Sequence, residues 1–107
     1  MTTTIDELFA STPATRSGKG ALRRFKRLHS RNPTAAERLV EIAHNNVSAA
    51  TFSDDEDIRD DQEDSLCERI LVSARQENEA AFGIVSSVIM GVIVKLIVDF
   101  LMSKLGS

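Results

Sequence analysis

A chain of 107 residues with 42% hydrophobic and 27% charged residues and a net charge of −3 is one domain at most. Its one cysteine, Cys67, excludes an intrachain disulfide, and the absence of Trp and Tyr removes the aromatic belt that often marks the ends of a membrane span. The averages conceal three segregated blocks, basic, acidic and apolar, and this segregation predicts a modular, elongated, all-α protein.

At the N-terminal end, Asp6 and Glu7 stand where a secretory signal would be basic, and no apolar run follows them. Ala10 to Arg31 is Ser/Thr/Arg-rich and free of acids, as in a mitochondrial presequence, but the same two acids count against that reading. Thr4 and Glu7 have capping-box spacing, so Ile5 to Ala10 reads as a short helix with Ile5, Leu8 and Phe9 on its apolar face. The Pro, Gly and Ser of Ser11 to Gly20 predict a linker, so residues 1–20 read as a flexible segment.

Residues 21–46 read as a basic helical hairpin. Leu22, Phe25 and Leu28 recur at helical spacing over Ala21 to Ser30, and Asn32-Pro33 stops one helix and starts the next. Thr34 and Glu37 have capping-box spacing, and the second helix, Thr34 to Asn45, places Ala36, Leu39, Val40 and Ala43 on one side. Arg16, Lys19, Arg23, Arg24, Lys26, Arg27 and Arg31 give seven cations with no acid among them. Cations interleaved with Leu and Phe suit an anionic lipid surface and equally a nucleic acid, and these seven are the candidate polyanion-binding residues.

Residues 47–64 read as an acidic linker, partly ordered because like charges repel. Asp54 to Arg69 holds nine acids against Arg59 and Arg69. Ser53 with Glu56, and Ser65 with Glu68, repeat the capping-box signature. As a calcium loop the block fails, since Arg59 stands where the sharp turn of a loop begun at Asp54 needs Gly.

From Ser65 to Leu105 no proline intervenes, and one long helix is the simplest expectation, softened at Gly83 and Gly91. Its apolar part, residues 80–102, includes the uncharged run Ala80 to Val94. That run reaches only about 22 Å against a hydrocarbon core of about 30 Å, so a span must extend past Lys95. Thirteen Leu, Ile, Val and Phe contribute roughly −4 to −8 kcal/mol to insertion, while Lys95 and Asp99 cost roughly 2.5 to 3.5 kcal/mol each at a helix centre. The balance favours a single-pass, tail-anchored membrane helix with the N-terminal region cytoplasmic. Residues 1–64 hold too few large apolar side chains to enclose a helix that is apolar nearly all round.

Gly83, Ser87, Gly91, Lys95 and Asp99 recur every four residues, the small-residue pattern by which helices associate in lipid. The partners expected are therefore a lipid bilayer, further copies of the chain, and nucleic acid, anionic lipid or a partner protein at the basic segment. The expected role is non-catalytic, in structure or assembly. A membrane-permeabilising pore, and a helical oligomer with the apolar segment as its intermolecular core, are the alternatives. Gly18-Lys19-Gly20 lacks the rest of a phosphate loop, and His29 and His44 lack zinc-ligand spacing, so no cofactor and no metal are expected. Asn46-Val47-Ser48 is a glycosylation sequon, meaningful only on an extracytoplasmic segment.

Overall fold

The computed structural model describes residues 4–105, and these form six helices: α1 (Thr4–Ala10), α2 (Arg16–Arg31), α3 (Pro33–Ala49), α4 (Glu56–Glu77), α5 (Glu79–Phe82) and α6 (Ser87–Leu105). Helix α2 begins five residues earlier than its apolar periodicity predicts. The reason is local: Thr15 caps it, its side chain accepting a hydrogen bond from the Gly18 amide at 3.0 Å. Gly18 is needed there, because a Cβ would lie 2.9 Å from both Pro13 Cβ and Thr15 Oγ1. At the other end, Asn32 closes α2 through its amide to the Leu28 carbonyl. It opens α3 by accepting from Ala35 N, with Pro33 in the first turn.

Asp55, rather than Ser53, caps α4, one of its carboxylate oxygens accepting from the amides of Asp57 and Ile58. Ser53 is held differently, its amide donating to the Gln62 side chain. Acids at the start of α4 face the positive end of the helix dipole, which offsets part of their mutual repulsion.

The single helix expected over 65–105 is divided by Asn78, Gly83 and Ser86. Asn78 adopts φ −145°, ψ 73°, donates its amide to Ala74 O and accepts from Ala81 N through its side chain, so it ends α4 and caps α5. Gly83 donates to Glu79 O at 2.7 Å, and a Cβ there would fall 2.6 Å from that carbonyl oxygen. Ser86 starts α6, with Ile89 N donating to its hydroxyl and Met90 N to its carbonyl. Arg75 ties the turn down by donating to Val85 O and Ser87 Oγ. The chain therefore folds back, and α6 runs antiparallel to α4: Arg75 meets Ser87 near the turn, and Glu63 meets Lys95 about two to three turns further on.

This reversal removes the elongated shape. A continuous helix over 65–105 would be about 60 Å long, whereas the longest extent of the molecule is 39 Å. Its radius of gyration, 13.1 Å, is what a compact chain of this length gives, about 13 Å. Nor does the fold contain the expected membrane-crossing helix: among the described residues no helix is long and apolar enough to cross a membrane. Helix α6 instead packs against α2, α3 and α4, with Met90, Ile93, Val94, Ile97, Val98 and Leu101 buried.

The cover that residues 1–64 seemed too poor to provide comes from two sources. Leu66, Ile70, Ala74 and Phe82 lie across α6 because the chain turns back at residues 78–86. Helix α2 adds Leu22, Phe25 and Leu28, while α3 adds Leu39, Val40, Ile42 and Val47, with Ala35, Ala36 and Ala43 keeping its backbone close. Helix α1 closes the remaining side with Ile5 and Leu8, and Phe9 meets Phe25 edge to face at 5.6 Å. Burial of this kind contributes about 25 cal/mol for each Å² of apolar surface removed from water, which is why the apolar segment folds inward here.

Candidate functional site

Two surfaces carry the residues that the sequence singles out. The first is the outer face of α2. Leu22, Phe25 and Leu28 are buried, which fixes the rotation of the helix and turns Arg16, Lys19, Arg23, Arg24, Lys26, Arg27 and Arg31 outward, all exposed. At 100° per residue the seven fall within an arc of about 160°. No acid lies on α2, and among the described residues no ion pair engages any of the seven. Lys26 alone has a defined neighbour, its Nζ standing 5.8 Å from the centre of the Phe9 ring.

The acids of α4 lie elsewhere. Helix α2 packs on α3 and α6, and α4 packs on the same two helices, so the two charged helices occupy opposite corners of the bundle. Neither neutralises the other. A net charge of −3 thus hides a molecule with one strongly positive side and one strongly negative side.

The second surface is the outer edge of α6. Gly83 lies outside α6, in the turn before it. Ser87, Gly91, Lys95 and Asp99 follow on α6; Ser87, Lys95 and Asp99 are exposed, and a Cβ on Gly91 would meet nothing within 4 Å. The sequence expectation puts Lys95 and Asp99 on the stripe through which helices associate. Here both engage Glu63 of α4 in the same chain, with Lys95 Nζ 3.4 Å from Glu63 Oε1. A hydrogen bond with Asp99, together with burial, pushes the Glu63 carboxyl above its ordinary pKa, and Lys95 only partly opposes this. Burial pulls Lys95 down, but the charges of Asp99 and Glu63 outweigh it and hold the ammonium above its usual value. Beside them the Cys67 thiol is pushed up to about 11, by burial first and by the Glu63 charge second, which leaves it a poor nucleophile at neutral pH.

Alongside this edge, a groove of about 590 Å³ separates α6 from residues 11–21. Val92, Leu96 and Phe100 give it an apolar wall, and Thr12, Thr15 and Ser17 face them with hydroxyls. Near the groove three large side chains are left uncovered: Ile84 is 84% exposed, Val88 77%, and Val92, part of the groove wall itself, 36%. By sequence all three belong to a segment that reads as apolar nearly all round. Val88 and Val92 share one edge of α6 while Ile84 stands in the turn before it, and only the tertiary fold shows that this edge, and not the one through Ile93 and Ile97, is left in the open.

Set against known proteins, the chain matches no family model, no curated protein and no solved structure.

Proposed function

We propose that the protein is a non-catalytic nucleic-acid-binding module that docks the outer face of α2 on the phosphate backbone. The observation that carries this reading is the outward arc of seven unpaired cations on one rigid helix. Five of them are arginines, whose planar guanidinium groups match phosphate oxygens two at a time. The helix is 16 residues long, about 24 Å, enough to follow the phosphates along several base pairs.

A lipid surface is a weaker fit to the same face. An interfacial helix binds by burying its apolar side among acyl chains, and in α2 that side, Leu22, Phe25 and Leu28, is already committed to the core. The exposed face offers charge without an apolar wedge. A pore built from α6 would require the core helix to leave the bundle and give up the contacts of Ile93, Ile97 and Leu101.

The test is fluorescence anisotropy with a labelled duplex of arbitrary sequence, titrated across salt. With about five to seven phosphates neutralised, log K should fall against log salt with a slope near −5 to −6. Arg23→Glu with Arg27→Glu should weaken binding at least tenfold and leave the thermal melt unchanged, since both side chains are exposed. Absence of binding at low salt would refute the reading. Salt-sensitive binding to phosphatidylserine vesicles without binding to the duplex would assign the face to membranes instead.

A further inference from the structure

We propose that α2 seats in the major groove of B-form duplex DNA, with Arg16, Arg23 and Arg27 toward the base edges and two cations toward each phosphate wall. The inference rests on the reading of α2 as a nucleic-acid-binding face and names the form of nucleic acid that fits it.

The seven cations are ordered within their arc. At 100° per residue, Arg16, Arg23 and Arg27 lie within about 20° of its centre, opposite the buried Phe25. Lys19 and Lys26 lie about 60–80° to one side, and Arg24 and Arg31 lie as far to the other. The remaining positions on the arc are Gly20 and Ser30, both small. A row of arginines therefore runs along the crest of the helix, with two cations on each shoulder.

A flat row of phosphates meets only one of these rows at a time. The two shoulders point about 120–160° apart, so both are engaged together only where phosphates stand on either side of the helix. The B-form major groove supplies that setting: it is about 12 Å wide, lies between two strands, and admits a helix about 10–12 Å across. In this seat the crest faces the base edges, and the forked guanidinium group of an arginine matches O6 and N7 of guanine. Arg16 to Arg27 covers about 16 Å of helix axis, the length of about five base pairs. Helices α3 and α6 stand behind α2, and α4 packs on those two, so the acidic side of the bundle is turned away from the duplex.

Other forms fit this face less well. The major groove of an A-form RNA duplex is too deep and narrow for side chains to read. A single strand is held largely by stacking its bases on aromatic rings, and the one phenylalanine of α2, Phe25, is buried.

The experiment is fluorescence anisotropy on the full chain at one fixed salt, with four probes of equal length. These are a GC-rich DNA duplex, the same duplex with 7-deazaguanine in place of guanine, an RNA duplex of the same sequence, and one of the DNA strands alone. The base 7-deazaguanine keeps the phosphates and the pairing and removes only the N7 acceptor. The GC-rich duplex should bind tightest, the 7-deazaguanine duplex about fivefold weaker, and the RNA duplex and single strand about tenfold weaker or more. Arg23→Ala with Arg27→Ala should bring the two DNA duplexes within about twofold of each other. Lys19→Ala with Lys26→Ala should weaken both alike, keep the difference between them, and reduce the salt slope by about 2. All four side chains are exposed, so the circular-dichroism melts should match wild type. RNA or single strand bound as tightly as duplex DNA, or a wild type indifferent to 7-deazaguanine, overturns the groove seat and leaves the phosphate-docking reading standing. Absence of binding to all four probes overturns both.

Discussion

Two substitutions on one helix separate a bundle core from a lipid-embedded rod. Ile97 is fully buried between α6 and its neighbours, whereas Val88, nine residues earlier on the same helix, is 77% exposed. Truncating Ile97 to Ala removes three buried carbons and leaves a cavity, which costs about 2–5 kcal/mol in a well-packed core. For a chain whose whole stability is about 5–15 kcal/mol, that is a large fraction. With a shift of about 4–8 °C for each kcal/mol in a domain of this size, a loss of about 3 kcal/mol lowers Tm by about 12–24 °C. Val88→Ala should stay within about 0.5 kcal/mol of wild type. The assay is urea unfolding followed by far-ultraviolet circular dichroism, with the slope checked so that midpoints compare like with like. A helix bathed in lipid or solvent on every side would make the two substitutions equivalent, so equal effects would refute the burial assigned to Ile97.

The cap at Asn78 and the acid pair at Glu63 give two further expectations. Asn78→Ala removes the side-chain acceptor for Ala81 N and favours continuation of α4 through the turn, so it should destabilise the fold by about 0.5–2 kcal/mol, read as a lower urea midpoint. The Glu63 carboxyl is raised by its hydrogen bond with Asp99 and by burial, with Asp99 the charge that repels it and Lys95 the one that attracts it. Its contribution to stability is therefore complete below the ordinary carboxylate pKa and is lost as pH rises through the raised native value. Glu63→Gln keeps a donor for Asp99 without the charge, so it should gain roughly a few tenths of a kcal/mol over wild type at pH 8 and nothing at pH 4. A gain confined to pH 4 would reverse the sign and contradict the pairing.

Much of the local structure was legible in the residues. Asn32-Pro33 announces the boundary between α2 and α3, and the spacing of Leu22, Phe25 and Leu28 fixes both the helix and the face it buries. Because that rotation follows from the pattern, the outward set of the cations was legible too. The reversal between α4 and α6 was not. Its signals are one Asn, one Gly and one Ser, each of which a helix tolerates at modest cost, set inside a run whose apolar continuity argues for a single rod. What decides the matter is long-range: Leu66, Ile70 and Ala74 find Met90, Ile93 and Ile97 only after the chain has turned, and no local window contains both sets. The engagement of Lys95 and Asp99 by Glu63, more than thirty residues away in sequence, was hidden for the same reason.

The most direct measurement is the distance between spin labels at Asp64→Cys and Ser103→Cys, in a Cys67→Ser background and without detergent. Helices packed side by side lie about 8–10 Å apart, and the register of Glu63 with Lys95 then predicts a separation below about 30 Å. A distance near 58 Å, the length of about 39 residues of unbroken helix, would contradict the folded-back arrangement on which the burial of α6 depends.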